Sequence, residues 1–222
     1  MIDKKQNISH SLLSLFSTLL LLFISAQVTS AQTDVKPLLT LLSQRLDAKD
    51  GLRITYQYSL GDLKSEGTYY AKGQQFYLED NMLRSWYDGA NLWLFLPTSN
   101  EVNLTMPSPQ ELGQINPLLS LKELNTNLFE ITMTTQGKSG MTLRAIPRAT
   151  SGASATGIEW LTLLIHPDGT PIRLEVKEQG IKERVVLKVK NLRKGLTKEM
   201  IQKDFFSHTP NKTKGAEVID LR

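Results

Sequence analysis

The sequence predicts a mainly β protein: one antiparallel meander of ten or eleven strands behind a single helix, enough strand to wrap strongly or to close a barrel. Three observations carry this expectation. After Gly51 the apolar residues change from a period near 3.6 to a period of 2. Short alternating segments then recur at regular spacing with turn sequences between them. No helical pattern lies between successive strands, which excludes a parallel α/β sheet.

The first 31 residues stand apart. Lys4 and Lys5 precede an apolar run from Leu12 to Ala26, and Thr29 and Ala31 then supply the small residues of a cleavage site. This is the layout of a secretory signal peptide, removed to leave one domain over 32–222. The run is 15 residues long, short of the ~20 that a membrane span requires. A secreted chain without cysteine suits a bacterial periplasm. Next, Val35, Leu38, Leu39, Leu42 and Leu46 share one helical face, with Asp34 placed to cap the start and Gly51 beyond the end.

Strands follow. Ile54, Tyr56 and Tyr58 alternate with Arg53, Thr55 and Gln57, and further strands are expected around 67–72, 75–79, 83–87, 91–97 and 101–106. The texture resumes at 128–133, 141–146, 158–165, 172–178 and 184–190. Between the two runs lies an apolar insert with two helix starts, Ser108-Pro109-Gln110-Glu111 and Asn116-Pro117-Leu118. A helix there either plugs one barrel end as ordinary core or covers a cavity. Residues 147–157 read as a flexible loop in an extended hairpin.

Composition removes most chemistry. The chain of 222 residues has no cysteine, three histidines and a net charge of +4. That excludes disulfides, thiolate catalysis, Cys-ligated metal and lipid attachment through cysteine. His166 lies in a turn and His208 near the C-terminus, and neither accompanies a nucleophile elbow, a zinc-protease motif, a P-loop or a dinucleotide fingerprint. We therefore expect no enzyme, no cofactor, no metal site and no nucleic-acid partner. The basic residues concentrate from Thr170 to Arg222, 13 Lys plus Arg against 7 Asp plus Glu. They read first as a solvated face whose lysines discourage edge aggregation, and second as a docking surface for an acidic protein or anionic headgroups.

The informative feature is surplus apolar surface. Leu92, Leu94 and Leu96 lie on one side of their strand while Trp93 and Phe95 lie on the other, and 160–165 repeats the pattern. A sheet with one wet face should alternate. Strands apolar on both sides need cover on both, from helices or from a ligand, and barrels of this strand number can enclose a ligand cavity.

Asp88-Gly89-Ala90-Asn91-Leu92-Trp93 with Pro97, Asn116-Pro117-Leu118-Leu119-Ser120-Leu121, Asp168-Gly169, Phe206 to Pro210, and Gly215 to Arg222 follow one another in a distinctive order and spacing. Through them, along essentially the whole mature chain, the sequence resembles the LolA family of outer-membrane lipoprotein carriers. The resemblance implies an incomplete, half-open β-barrel of about 11 strands, with an N-terminal helix and a helical lid over the concave face. It also implies a periplasmic monomer that takes acylated lipoproteins from an inner-membrane ABC transporter and hands them to an outer-membrane receptor, chaperoning their acyl chains in between. Two positions depart from the family pattern: Ala71-Lys72-Gly73-Gln74 lacks the arginine that latches the lid, and His208 stands where a second aromatic is expected. On this reading Ile115, Leu118, Leu119 and Leu121 belong to the lid. Ile54, Tyr56, Phe76, Leu78, Trp93, Phe95, Leu161, Leu163 and Ile165 line the concave wall.

Overall fold

The computed structural model describes residues 34–222 apart from 109–110, 113–116, 123, 136–139, 150–156 and 203. The expected signal peptide, lid residue Ile115 and most of the 147–157 loop lie outside the described residues.

The chain begins with α1 (Lys36–Leu46), which buries Leu38, Leu42 and Leu46 as the 3.6 period requires. Asp34 Oδ1 accepts the Lys36 amide at 3.0 Å, giving one of the unpaired first-turn donors a partner. Gly51 follows with a positive φ of 96° and turns the chain into the sheet.

Six strands then run as a meander: β1 (Leu52–Leu60), β2 (Leu63–Lys72), β3 (Gln75–Asp80), β4 (Arg84–Tyr87), β5 (Leu92–Leu96) and β6 (Glu101–Thr105). After the insert with α2 (Pro117–Lys122), five more follow: β7 (Phe129–Thr135), β8 (Met141–Pro147), β9 (Ile158–Ile165), β10 (Pro171–Glu178) and β11 (Arg184–Lys194). These eleven match the segments expected from periodicity. A twelfth, β12 (Glu217–Asp220), is not marked by alternation in the sequence.

All twelve form one sheet in the order β12-β6-β5-β4-β3-β2-β1-β11-β10-β9-β8-β7, not closed into a barrel. The two meanders join where β11 returns to pair with β1, and every ladder is antiparallel except β12 against β6.

This order fixes where the connections run. β6 lies near one edge and β7 forms the other, so the link between them must cross the full width of a strongly wrapped sheet. That link carries α2 across the mouth. Residues after β11 must return from the middle of the sheet to its β6 edge, and they do so over the opposite face.

Candidate functional site

The inner face follows from register. Ile54 pairs with Tyr69 on β2, and Tyr69 with Leu78 on β3. A second row runs Leu52, Ala71, Phe76, Tyr87, Leu92 from β1 to β5. In the other half, Leu187, Leu174, Leu163 and Leu143 form a row from β11 to β8. These side chains belong to one apolar cluster, closed from above by Leu38, Leu42 and Leu46 of α1 and by Leu118 and Leu121 of α2. Leu163 and Ile165 are wholly inaccessible to solvent, and Leu118 and Leu121 are 2% exposed.

The two helices are held differently. α1 is clasped to the β9–β10 turn: Arg45 Nη2 meets Asp168 Oδ2 at 2.8 Å and Arg45 Nε donates to the Asp168 carbonyl at 3.1 Å. The Asp168 carboxyl sits below its usual range, first because it accepts the Thr170 amide and further because Arg45 lies beside it. Gly169 lets the helix approach, since a Cβ there would stand 2.5 Å from the Leu41 carbonyl carbon. α2 is six residues long, too short to persist in water by itself, so its order derives from tertiary packing. Upstream, Ser108 and Glu111 form a reciprocal capping box, with the Ser108 amide and hydroxyl both donating to Glu111 Oε2 at 2.7 and 2.8 Å.

At the rim the inner face acquires a polar anchor. Tyr56 reaches over Gly67, where a side chain would collide with its hydroxyl, and hydrogen-bonds to Asp80. Burial, then the Asp80 carboxylate, raise the Tyr56 phenol above its ordinary value, so it stays a neutral donor.

Of the expected wall residues, Ile54, Tyr56, Phe76, Leu78, Leu161, Leu163 and Ile165 lie together in the inner cluster, joined by Leu118 and Leu121 and, half-buried, by Leu119. Trp93 and Phe95 do not, and their placement is a correction. The Asp88–Asn91 turn pairs Tyr87 with Leu92, so Leu92 keeps the inner side and Trp93 and Phe95 fall on the outer one. There they form a second cluster with Trp86 and Val102. Its cover is the C-terminal segment, which periodicity does not reveal. Phe205 packs edge-on against Tyr70 and Tyr77 at 5.4 and 5.5 Å, and His208 meets Trp86 at 5.4 Å. Lys212 Nζ caps the Asp204 and Ser207 carbonyls while its own carbonyl accepts Arg84 Nη1 at 3.1 Å. His208, where the resemblance leads us to expect an aromatic, thus packs against a ring as an aromatic would. Its Nε2 lies 2.6 Å from Thr213 Oγ1. Burial first, then Lys212 and Arg84, lower its pKa.

Among the described residues no group of three or more His, Asp or Glu is placed to hold a metal ion, and no helix is long and apolar enough to cross a membrane.

A mainly β open sheet of twelve strands with an apolar inner face under helices is consistent with a half-open β-barrel fold. Residues 46–146, from the end of α1 into β8, match the family model described as outer membrane lipoprotein carrier protein LolA, so the resemblance read from the sequence holds over that span. No curated protein matches the chain. Among solved structures, the chain is similar to an uncharacterized conserved protein from Thermus thermophilus, at 15% identity over 84% of this chain and 98% of that one, with a TM-score of 0.53. It is also matched to the LolA superfamily protein NE2245 from Nitrosomonas europaea (10% identity, 77% and 98% covered, TM-score 0.39) and to the MucA/MucB complex of Pseudomonas aeruginosa (11%, 77% and 61%, 0.41). At these identities the Thermus protein speaks for the fold alone, and the other two carry no argument.

Proposed function

We propose that the protein is a periplasmic carrier that shields the acyl chains of lipoproteins between the inner and outer membranes. One observation carries the reading: the inner face is apolar across nearly the whole sheet and is covered by helices that the chain order places over its mouth. The match of residues 46–146 to the lipoprotein-carrier family supports it. In this reading residues 1–31 direct export and are removed, and 32–222 form the carrier domain.

The energetics fit a shuttle. Exposing an acyl chain costs about 0.8 kcal/mol per CH₂, on the order of 12 kcal/mol for one long chain. A cavity of Leu, Ile and Phe replaces bilayer hydrocarbon at similar free energy, so loading and release stay close to balance. Tyr56, Phe76, Leu78, Leu161 and Leu163 form the wall, and Leu118, Leu119 and Leu121 the lid that yields to cargo. An inner-membrane ABC transporter supplies the lipoprotein and an outer-membrane receptor takes it. Nothing in this scheme calls for catalysis.

The test is co-purification of the chain with an acylated lipoprotein and with the same cargo whose acylated cysteine is changed to serine. The reading requires that the acylated form alone co-elutes. Equal recovery of both forms contradicts it, and recovery of free lipid without protein redirects the cargo to another envelope lipid.

A further inference from the structure

On the outer face, Arg53 of β1 and Arg193 of β11 stand directly opposite one another, with Thr55 and Asn191 as the next pair. These four side chains line a cavity of about 130 Å³. Like charges directly opposite on antiparallel strands repel, and neither guanidinium is ion-paired among the described residues. Three carboxylates on the same face of the sheet have partners of their own. Glu175 bridges Arg173 at 2.6 Å and Arg184 at 3.2 Å, Glu66 accepts from Gln57, and Glu79 bonds with Tyr77. Arg53 is held in place by the Tyr70 ring, 5.5 Å from its guanidinium carbon, yet its buried Nε has no hydrogen-bond partner. The ladder slips between Thr55 and Tyr56, immediately beside the cavity, and bulges of this kind re-aim side chains at sites. Lys188, opposite Gln57 on the same face, adds a third cation.

We propose that Arg53, Thr55, Asn191 and Arg193 form a binding site for a phosphate-type oxyanion, on the face of the sheet opposite the apolar one. A single guanidinium fork satisfies the two oxygens of a planar carboxylate. Two forks from opposing strands, with a hydroxyl and an amide between them, suit an anion with three or four acceptor oxygens. Phosphate occupancy would also cancel the repulsion between the paired arginines. The site stands whether or not the inner face carries lipoproteins.

The experiment titrates the purified chain with inorganic phosphate and with glycerol 3-phosphate, and measures flotation with phosphatidylglycerol and phosphatidylcholine vesicles. An oligo-glutamate peptide is run alongside. Saturable phosphate binding should weaken at least tenfold in Arg53→Gln and in Arg193→Gln. Arg193 is exposed, so Arg193→Gln should melt, without anion, at or above the parent's temperature because a repulsion is gone. Stronger binding to phosphatidylglycerol vesicles than to glycerol 3-phosphate assigns the site to bilayer headgroups, and the reverse assigns it to soluble phosphates. The proposal is overturned if no phosphate probe binds, if both variants bind as the parent does, or if the acidic peptide binds more tightly than every phosphate probe. A melting temperature several degrees lower in Arg193→Gln overturns it as well, because the pair is then structural.

Discussion

Truncating Leu121 to alanine separates a lid from a core. α2 has six residues and no independent stability, and two of the side chains that hold it, Leu118 and Leu121, are each 2% exposed. Leu→Ala at so buried a site costs about 2–5 kcal/mol in a core that cannot relax. That cost lowers global stability in both cases, and whether it also eases opening distinguishes them. If α2 opens as a unit while the sheet stays folded, a loss of about 3 kcal/mol falls on opening, and the open fraction rises by roughly two decades, since each 1.4 kcal/mol is tenfold. An apolar fluorescent probe that must displace α2 to reach the inner face should then bind 10- to 100-fold more tightly to Leu121→Ala, while the urea unfolding free energy, which is measured from the closed state, falls by about 3 kcal/mol as well. Fluorescence titration and urea denaturation monitored by circular dichroism read the two quantities on one sample. Probe affinity unchanged, together with a fall of about 3 kcal/mol in global stability, would refute the argument and make α2 ordinary core.

Two further predictions concern the framework. Gly169→Ala meets both a left-handed backbone (φ 85°) and the Leu41 main chain, whereas Gly89 has φ 104° and open space around it. Both alanines carry the conformational penalty of about 1–2 kcal/mol, but Gly169→Ala should cost at least about 2 kcal/mol more by urea denaturation, and equal losses would show that the α1 contact is not tight. The lowered pKa of His208 makes stability depend on pH in a defined direction. The unfolded chain protonates this ring near pH 6.5 and the folded chain does so only at lower pH, so its contribution is complete above about pH 6.5, declines as the pH falls below that value, and levels off below the folded pKa. Unfolding free energies at pH 7.5 and 5.5 should differ less in His208→Phe than in the parent, and identical differences would contradict the assignment.

Most of the architecture was legible because burial on one side writes a period. Eleven strands and α1 emerge from alternation and from the 3.6 spacing, but the placement of α2 also needs the pairing of β11 with β1, which splits the expected single meander in two and sends β6 and β7 toward opposite edges. The face of β5 was not legible in the same way, because Leu92 to Leu96 is apolar at every position and alternation carries no sign there. The signal that could have settled it lies in the turns. Pairing Phe76 with Tyr87 and Tyr87 with Leu92 across two short turns propagates the inner face to Leu92 and puts Trp93 and Phe95 outside. The outer cover was illegible for a different reason. Phe205 and His208 show no regular period, and they reach their partners more than a hundred residues away by crossing the sheet. β12 escaped because a four-residue edge strand, exposed at three of its positions, has no buried side to mark.

The central claim is that cargo lies on the inner face. It is tested most directly by placing one photoreactive phenylalanine analogue either at Phe76, inside, or at Trp93, outside, so that an aromatic replaces an aromatic in each case. After loading with an acylated lipoprotein and irradiation, mass spectrometry should find the adduct on the acyl chain from position 76 and none from position 93. An adduct from position 93, or none from position 76 while cargo co-purifies, would contradict the account.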